Sequence, residues 1–449
     1  MVIIKMFSRF YIKDNRGYYI YPLYNYPFIW FLICLGVALI TRLLNKLVFN
    51  PFLDYLFWIS VVGALMLGFI GIYILVRGIK VNDSLVNYFD SLRLEASIRK
   101  ALLNTMNLNR YKDSPVIEVP RIKVVFQGMQ IKAVIYKLPG MYDIDKLQED
   151  VNASFTGKFS KFAIISSFAS DDGTRFSFIL EDVGTDKTFI PKTINDLVQK
   201  PYFLGLQKGL KINISKLPHL AIWGQSGSGK TTVLMSLIAQ CLSNNTDLLF
   251  LDGKTEFSSF SAFYPVEKIA TNNDDVLTLL QHVSETIKKR QKIIANAVKK
   301  RNKLGLTGYE LGLQPIIIIG DEIGSIVAGM NTKEKKEFIA LLTQVVQKGR
   351  SVSVFAILAS QSPSVDVLPQ GIRAQFSTKI LLGSANTDIQ RMAFGEATTP
   401  GNVEKFQGYY SIDGLTIDPQ KFFVPNLFKY NLENMQIFKQ LYEIGKRKE

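Results

Sequence analysis

The chain has 449 residues, enough for two or three domains. Its 53 Lys and Arg against 38 Asp and Glu leave a net charge of +15, which favours polyanionic partners such as nucleic acid or an acidic membrane face. With only two cysteines and two histidines, the chain cannot build a disulfide framework, and a structural zinc site or a His-based nucleophilic triad is not expected. Cys34 and Cys241 read as packing residues of a reducing compartment.

Two apolar runs come first in chain order. One extends from about Leu23 to Ile40 and is short for a crossing of ~20 residues unless Thr41 to Val48 lengthen it. The other, about Tyr55 to Val76, contains no charge and is long enough to span. Trp30, Trp58 and the tyrosines at 18, 19, 21, 24 and 26 suit membrane interfaces. A cleaved signal peptide fits poorly, because the first run starts late, lacks a small-residue cleavage pattern and is followed at once by a second span. Lys5, Arg9, Lys13 and Arg16 precede the runs, and Arg77, Lys80, Arg93, Arg99 and Lys100 follow them. Only Arg42 and Lys46, against Asp54, lie between. That bias predicts a multi-pass protein of the cell membrane with two spans and both termini cytoplasmic.

Residues 81–110 predict an amphipathic helix with Leu85, Phe89, Leu92, Ile98 and Leu102 on one face. From about Pro115 to Leu180 the pattern turns to strands at 121–126, 131–136 and 176–180, with Asp171-Asp172-Gly173 as a turn. Residues 81–200 thus read as a small α+β accessory module, and they contain no nameable chemistry.

The sequence is most informative from His219 onward. His219-Leu220-Ala221-Ile222-Trp223 is a short apolar run, and a helical pattern continues through Leu242. Between them stands Gly224-Gln225-Ser226-Gly227-Ser228-Gly229-Lys230-Thr231, a P-loop in its required strand–loop–helix context. Its glycines let successive backbone N–H groups cradle phosphates at a helix N-terminus. These eight residues and Thr232 are the nucleotide-binding set for ATP, with Lys230 on the β- and γ-phosphates and Thr231 on Mg²⁺.

Some ninety residues on, Pro315-Ile316-Ile317-Ile318-Ile319-Gly320 is a β-branched run ending in Asp321-Glu322. A central parallel strand explains the isoleucines, and its carboxyl end is where such a sheet places its ligand. Asp321 is then the second Mg²⁺ residue, and Glu322 polarises the attacking water. A third strand, Ser353 to Ala359, ends at Ser360-Gln361, and Gln361 is the candidate γ-phosphate sensor.

Between Thr278 and Lys303 a helical stretch carries Lys288, Lys289, Arg290, Lys292, Lys299, Lys300, Arg301 and Lys303. Leu279, Leu280, Val283, Ile287, Ile294 and Val298 supply a buried face, and the basic side is suited to phosphates or simply to solvent.

Downstream segments resemble a known family. Gln347-Lys348-Gly349-Arg350, then Ala356-Ile357-Leu358-Ala359-Ser360-Gln361-Ser362-Pro363-Ser364-Val365-Asp366-Val367-Leu368, then Gly371-Ile372-Arg373-Ala374-Gln375-Phe376 resemble the FtsK/SpoIIIE translocases. Leu217-Pro218-His219-Leu220 fits as well, as does Asp252-Gly253-Lys254, where the family usually has Asp-Pro-Lys.

The resemblance covers about residues 200–415. It implies an α/β, RecA-like P-loop ATPase core with a mostly parallel sheet over 201–449. The accessory module (81–200) and a two-helix transmembrane hairpin (within 1–80) precede that core. It also implies a homo-oligomeric ring, usually a hexamer, that moves DNA by MgATP hydrolysis, each site completed by a neighbour's arginine. Arg350, Arg373 and Arg391 are candidates for that arginine. The family's Asp-Ser-Arg segment stands here as Thr387-Asp388-Ile389-Gln390-Arg391, with the arginine displaced by one.

Large members carry several spans and a C-terminal winged helix, for which the residues after about 415 are too few. A short two-span form resembles the coupling proteins of Gram-positive conjugative elements, which implies a relaxase and secretion-channel proteins as partners. A chromosome or plasmid segregation translocase, a type VII-like protein-secretion ATPase and a membrane adaptor with a regulatory ATP site stay open.

Overall fold

Both apolar runs fold as helices in a computed structural model that describes residues 10–13, 19–20, 27–105, 116–127, 130–138, 144–395, 403–416 and 418–447. Lys5, Arg9, Arg16, the tyrosines at 18, 21, 24 and 26, and the 106–110 end of the expected third helix lie outside these residues. The chain divides into two compact units, Met1–Thr185 and Asp186–Glu449.

In the first unit, α1 (Pro27–Val48) and α2 (Pro51–Val81) form the hairpin. Their segments Trp30–Val48 and Pro51–Val81 are long and apolar enough to cross a membrane. The first helix thus continues through Thr41 to Val48, and the Thr41 hydroxyl is absorbed by donating to Val37 O at 2.8 Å. Leu39, Leu47, Ile59, Phe69 and Ile72 point outward, where a soluble domain would place polar side chains. At the connection Asn45 Nδ2 donates to Asp54 Oδ1 at 2.6 Å and the Arg42 guanidinium lies 3.8 Å from the same oxygen, so the acid between the runs has both an amide and a cation beside it, and Asn50 caps α2.

Helix α3 (Leu85–Thr105) corrects the expected helix face. Leu94, Ile98 and Leu102 are fully buried, whereas Leu85, Phe89 and Leu92 are exposed. The six-residue step from Leu92 to Ile98 carries the chain roughly 240° around a helix, so one face cannot hold both. The buried stripe packs with α4 (Ile144–Ala153) on a four-stranded antiparallel sheet of β4 (Ile122–Gln127), β5 (Gln130–Tyr136), β7 (Arg175–Asp182) and β6 (Phe162–Ala169), in that order. Strand β6 was not foreseen. β1 (Phe10–Lys13) pairs with β2 (Tyr19–Ile20) and β3 (Val116–Glu118) in a separate small sheet.

The second unit begins with a hairpin of β8 (Phe203–Gln207) and β9 (Leu210–Asn213). It is then built on one eight-stranded sheet. Its strands are β10 (Leu220–Gly224), β11 (Asp247–Asp252), β12 (Ile269–Ala270), β13 (Ile316–Asp321), β14 (Val354–Ser360), β15 (Thr378–Leu382), β16 (Gln407–Ile412) and β17 (Gln420–Phe423). The order is β12-β11-β13-β14-β10-β15-β16-β17. Pairings from β12 through β15 are parallel, and β16 and β17 add an antiparallel edge.

Strands β10, β13 and β14 are buried along their whole length, as expected for central strands covered on both faces. α5 (Lys230–Leu242) and α11 (Met435–Lys446) cover one face. α6 (Asn273–Arg301), α7 (Ile323–Ala328) and α8 (Thr332–Lys348) cover the other, while α9 (Gln370–Arg373) and α10 (Thr387–Phe394) flank β15 in sequence.

Candidate functional site

Strand β10 ends at Gly224 and α5 begins at Lys230, so Gln225 to Gly229 form the turn between them. Gly229 has φ +104, and a Cβ there would lie 2.9 Å from Val424 Cγ1 and 3.2 Å from Phe406 Cδ1. Only glycine passes this crossing. Gln225, Ser226 and Gly227 are exposed, and Ser228, Thr231 and Thr232 are half-buried.

Lys230 is 6% exposed, and its Nζ donates to Gly224 O at 2.6 Å and Gln225 O at 3.3 Å. Burial lowers its pKa, and the charge of Glu322 opposes that. Ser228 Oγ is buried with no hydrogen-bond partner. An amine held by two backbone carbonyls and an orphaned hydroxyl, in a glycine-rich turn that leads into a helix N-terminus, together fit a polyphosphate.

The sheet order sets β14 between β10 and β13, and all three run parallel, so their carboxyl ends share one rim. Asp321 closes β13 and is buried, which raises its carboxyl pKa. Glu322 follows in a left-handed conformation at φ +48 and is 3% exposed. A non-glycine residue in that region is costly unless its surroundings hold it.

Two partners hold Glu322. Oε2 accepts from Lys254 Nζ at 2.7 Å, and Oε1 accepts the Gln361 N–H at 3.2 Å. Gln361 is thereby joined to the acids through its backbone, while its side chain is exposed.

Lys254, the last residue of the Asp252-Gly253-Lys254 tripeptide, is the residue the sequence leaves without a role. It leaves the end of β11 on a turn fixed by Asp252, whose carboxylate accepts from the N–H groups of Glu256, Phe257 and Ser258 at 2.9, 2.8 and 2.9 Å. Gly253 donates to Asp321 O at 3.3 Å, and a Cβ there would meet Glu322 O at 2.8 Å. The hydrogen bond to Glu322 is the main reason the Lys254 pKa is raised. The sequence signal for this pair is the family-like Asp252-Gly253-Lys254 tripeptide alone.

On the other flank of the P-loop lies a cavity of ≈ 190 Å³ lined by Gln225 to Ser228, Leu382 to Ser384 and Val403 to Phe406. A larger one, ≈ 860 Å³, is lined by Asp247 and Ile316 at the amino ends of β11 and β13, together with Lys268 and His282, and it contains no P-loop residue.

The three candidate arginines separate. Arg373 is 8% exposed, and its guanidinium donates to Met392 O at 2.7 Å within its own subunit. Arg350 is exposed in the turn that leads into the amino end of β14, opposite the P-loop rim. Arg391 is exposed in the last turn of α10, which follows the carboxyl end of β15 on the rim side.

The basic stretch is helical as predicted, but Arg290 does not belong to its solvent face. Its guanidinium donates to Val352 O at 2.9 Å, Ser353 O at 3.2 Å and Gln314 O at 2.9 Å. Lys288, Lys289, Lys292, Lys299, Lys300 and Arg301 are exposed.

Residues 202–310, which include the P-loop and Lys254, match the model of the FtsK/SpoIIIE family. This chain carries an FtsK/SpoIIIE domain. Among curated proteins it is similar to the FtsK domain-containing protein YdcQ of Bacillus subtilis, 28% identical over 205 residues that cover 45% of this chain and 42% of that protein. It is similar also to the DNA translocase FtsK of Clostridium acetobutylicum, 28% identical over 183 residues, 37% of this chain and 23% of that one. The chain thus spans less than half the length of these relatives.

Among solved structures, the pCW3 conjugation coupling protein TcpA in its monomer form with ATPγS superposes with a TM-score of 0.47 at 16% identity, covering 78% of this chain and 99% of that one. EssC of Geobacillus thermodenitrificans (ATPases 2 and 3) gives 0.45 at 13% identity, covering 58% and 52%. The FtsK/SpoIIIE match ends before Asp321, and it is the sheet order that brings Asp321 and Glu322 to the P-loop.

Proposed function

We propose that this chain is a membrane-anchored ATPase that moves DNA, and that it serves as the coupling protein handing DNA to a conjugative secretion channel. The observation that carries the ATPase reading is the convergence of Lys230, Asp321, Glu322, Lys254 and Gln361 on one rim of a parallel sheet. The FtsK/SpoIIIE domain, relatives named as DNA translocases, the net charge of +15 and the exposed lysines of α6 support DNA as the cargo. The two apolar helices support the membrane anchor, with the motor on the cytoplasmic side. An anchor of two apolar helices (within 1–80) ahead of an accessory module (81–200) and a motor (201–449) supports conjugation over segregation, with a relaxase and channel proteins as partners.

In this reading the P-loop N–H groups and Ser228 Oγ bind phosphate oxygens, and the Lys230 amine leaves its carbonyls for the β- and γ-phosphates. Thr231 and Asp321 would hold Mg²⁺, which when bound offsets the phosphate charge. Glu322 orients a water whose oxygen bonds the γ-phosphorus as the bond to the β–γ bridging oxygen breaks, and the water's proton passes to the carboxylate. Gln361, bonded to the same carboxylate, reports the state of the γ-phosphate. A ring, hexameric by family resemblance, completes each site with a neighbour's arginine. Arg391 is the candidate that its own subunit leaves exposed on the rim side.

The test uses the full chain in detergent. ATP turnover should rise with DNA and the rise should fade with salt, Lys230→Ala should lose nucleotide, and Glu322→Gln should bind without turnover. Turnover indifferent to every DNA offered, at every salt, would sink the DNA reading. A relaxase gene beside this one would separate conjugation from segregation.

A further inference from the structure

The nucleotide reading leaves the base without a place, and the sheet order supplies one. The acids lie two strands from β10 on one side, across β14. A triphosphate seated on the P-loop with its γ end toward Glu322 therefore directs its other end across β15, toward the antiparallel edge. There the ≈ 190 Å³ cavity opens directly on Gln225 to Ser228. It is smaller than a pocket for a whole ligand, roughly 300 Å³ upward, and suits one part of a nucleotide.

The wall of this cavity is built around an aromatic ring that the fold leaves uncovered. Phe406 is 49% exposed although it sits beside buried strands, and its backbone is left-handed at φ +63. A bulky aromatic adopts that conformation only when its neighbours hold it there. Phe406 O accepts from Val424 N–H at 3.0 Å, and Gln407 O accepts from Gly383 N–H at 2.8 Å. The ring edge and the Val424 methyls close over Gly229, the crossing that admits no side chain. Lys405 Nζ lies over the ring, 5.1 Å from its centroid, and adds a positive charge to the site.

We infer that Phe406, backed by Val424 and flanked by Leu382 and Val403, is the stacking platform for the nucleobase of the bound nucleoside triphosphate. The inference rests on the P-loop reading above and adds a base subsite to it. An aromatic face stacks any base and needs no edge-specific hydrogen bond, so the platform contributes affinity more than choice of base.

The experiment compares ATP with inorganic tripolyphosphate, which has the phosphates and no base, by competition binding to the full chain. For Phe406→Ala, ATP should weaken about tenfold while tripolyphosphate is unchanged, and Phe406→Tyr should restore ATP. In turnover, the alanine variant should raise KM for ATP by the same factor at unchanged kcat. An alanine variant that binds ATP as the wild type does overturns the platform, and so does one that loses both ligands equally, since that is a distorted P-loop. If the wild-type chain binds neither ligand and Lys230→Ala changes nothing, the P-loop reading itself has failed.

Discussion

Replacing Lys254 by methionine keeps the length of the side chain and removes the charge that Glu322 leans on. The Glu322 side chain is 4% exposed and that of Lys254 36%, so water can reach one end of the pair only. Breaking a fully buried pair from one side costs about 3–5 kcal/mol, and an exposed pair is worth about 1 kcal/mol or less. With half the pair wetted, and one hydrogen bond from Gln361 remaining, the loss should be about 2 kcal/mol. For a unit of this size that is a fall in Tm of roughly 4–8 °C.

Turnover should drop together with stability, because the same carboxylate orients the water. Lys254→Arg should recover both in large part. The deciding measurement is a double-mutant cycle with Glu322→Gln, read by thermal denaturation. If Lys254 acts through Glu322, methionine at 254 should cost far less when residue 322 is already neutral. An equal cost in both backgrounds would refute the reasoning. The lysine's pKa is raised from 10.5, so the lysine's share of this stabilisation is present below that pH and is lost as pH rises above it.

Three further outcomes are expected. Burial pushes His219 down to about 4, and its Nδ1 accepts the Ala356 N–H at 3.0 Å. Its contribution should be whole above the unfolded value near 6.5 and be lost as pH falls toward 4, up to about 3 kcal/mol, and denaturation of His219→Gln should lack that slope. Arg373→Ala should cost about 2 kcal/mol of stability and lower Tm, whereas Arg391→Ala should leave Tm alone and cut turnover of the assembled ring tenfold or more. Arg290→Met should destabilise the motor unit, while Lys299→Ala with Lys300→Ala should leave Tm unchanged and flatten the salt dependence of DNA binding by about two in slope.

What was legible in the sequence was local. The P-loop and the Ile316-to-Glu322 strand declare themselves because strand, turn and helix signals sit within a few residues of each other, and the parallel sheet follows from buried β-branched runs. The face of α3 was misread because apolar residues on two sides of a helix look continuous when written in a line. Strand β6, Phe-Ala-Ile-Ile-Ser-Ser-Phe-Ala, escaped because its bulge between Ile164 and Ser166 breaks the alternation. Strands β16 and β17 escaped too, and with them the place of Phe406 and Val424. Lys254 on Glu322 and Arg290 on three carbonyls are tertiary pairings across 68 and 24 to 63 residues, and no spacing rule reaches that far.

Arg290 has one more implication. The carbonyls it grips belong to Gln314, Val352 and Ser353, the residues that lead into β13 and β14. The far ends of those two strands carry Glu322 and Gln361, joined by their own hydrogen bond. Each strand is six or seven residues long and fully buried, a stiff rod of roughly 20 Å. The lysine-bearing helix is therefore bolted to the butt ends of two paired push-rods whose tips hold the carboxylate. A small tilt at the tips has little slack to take up before it turns the helix.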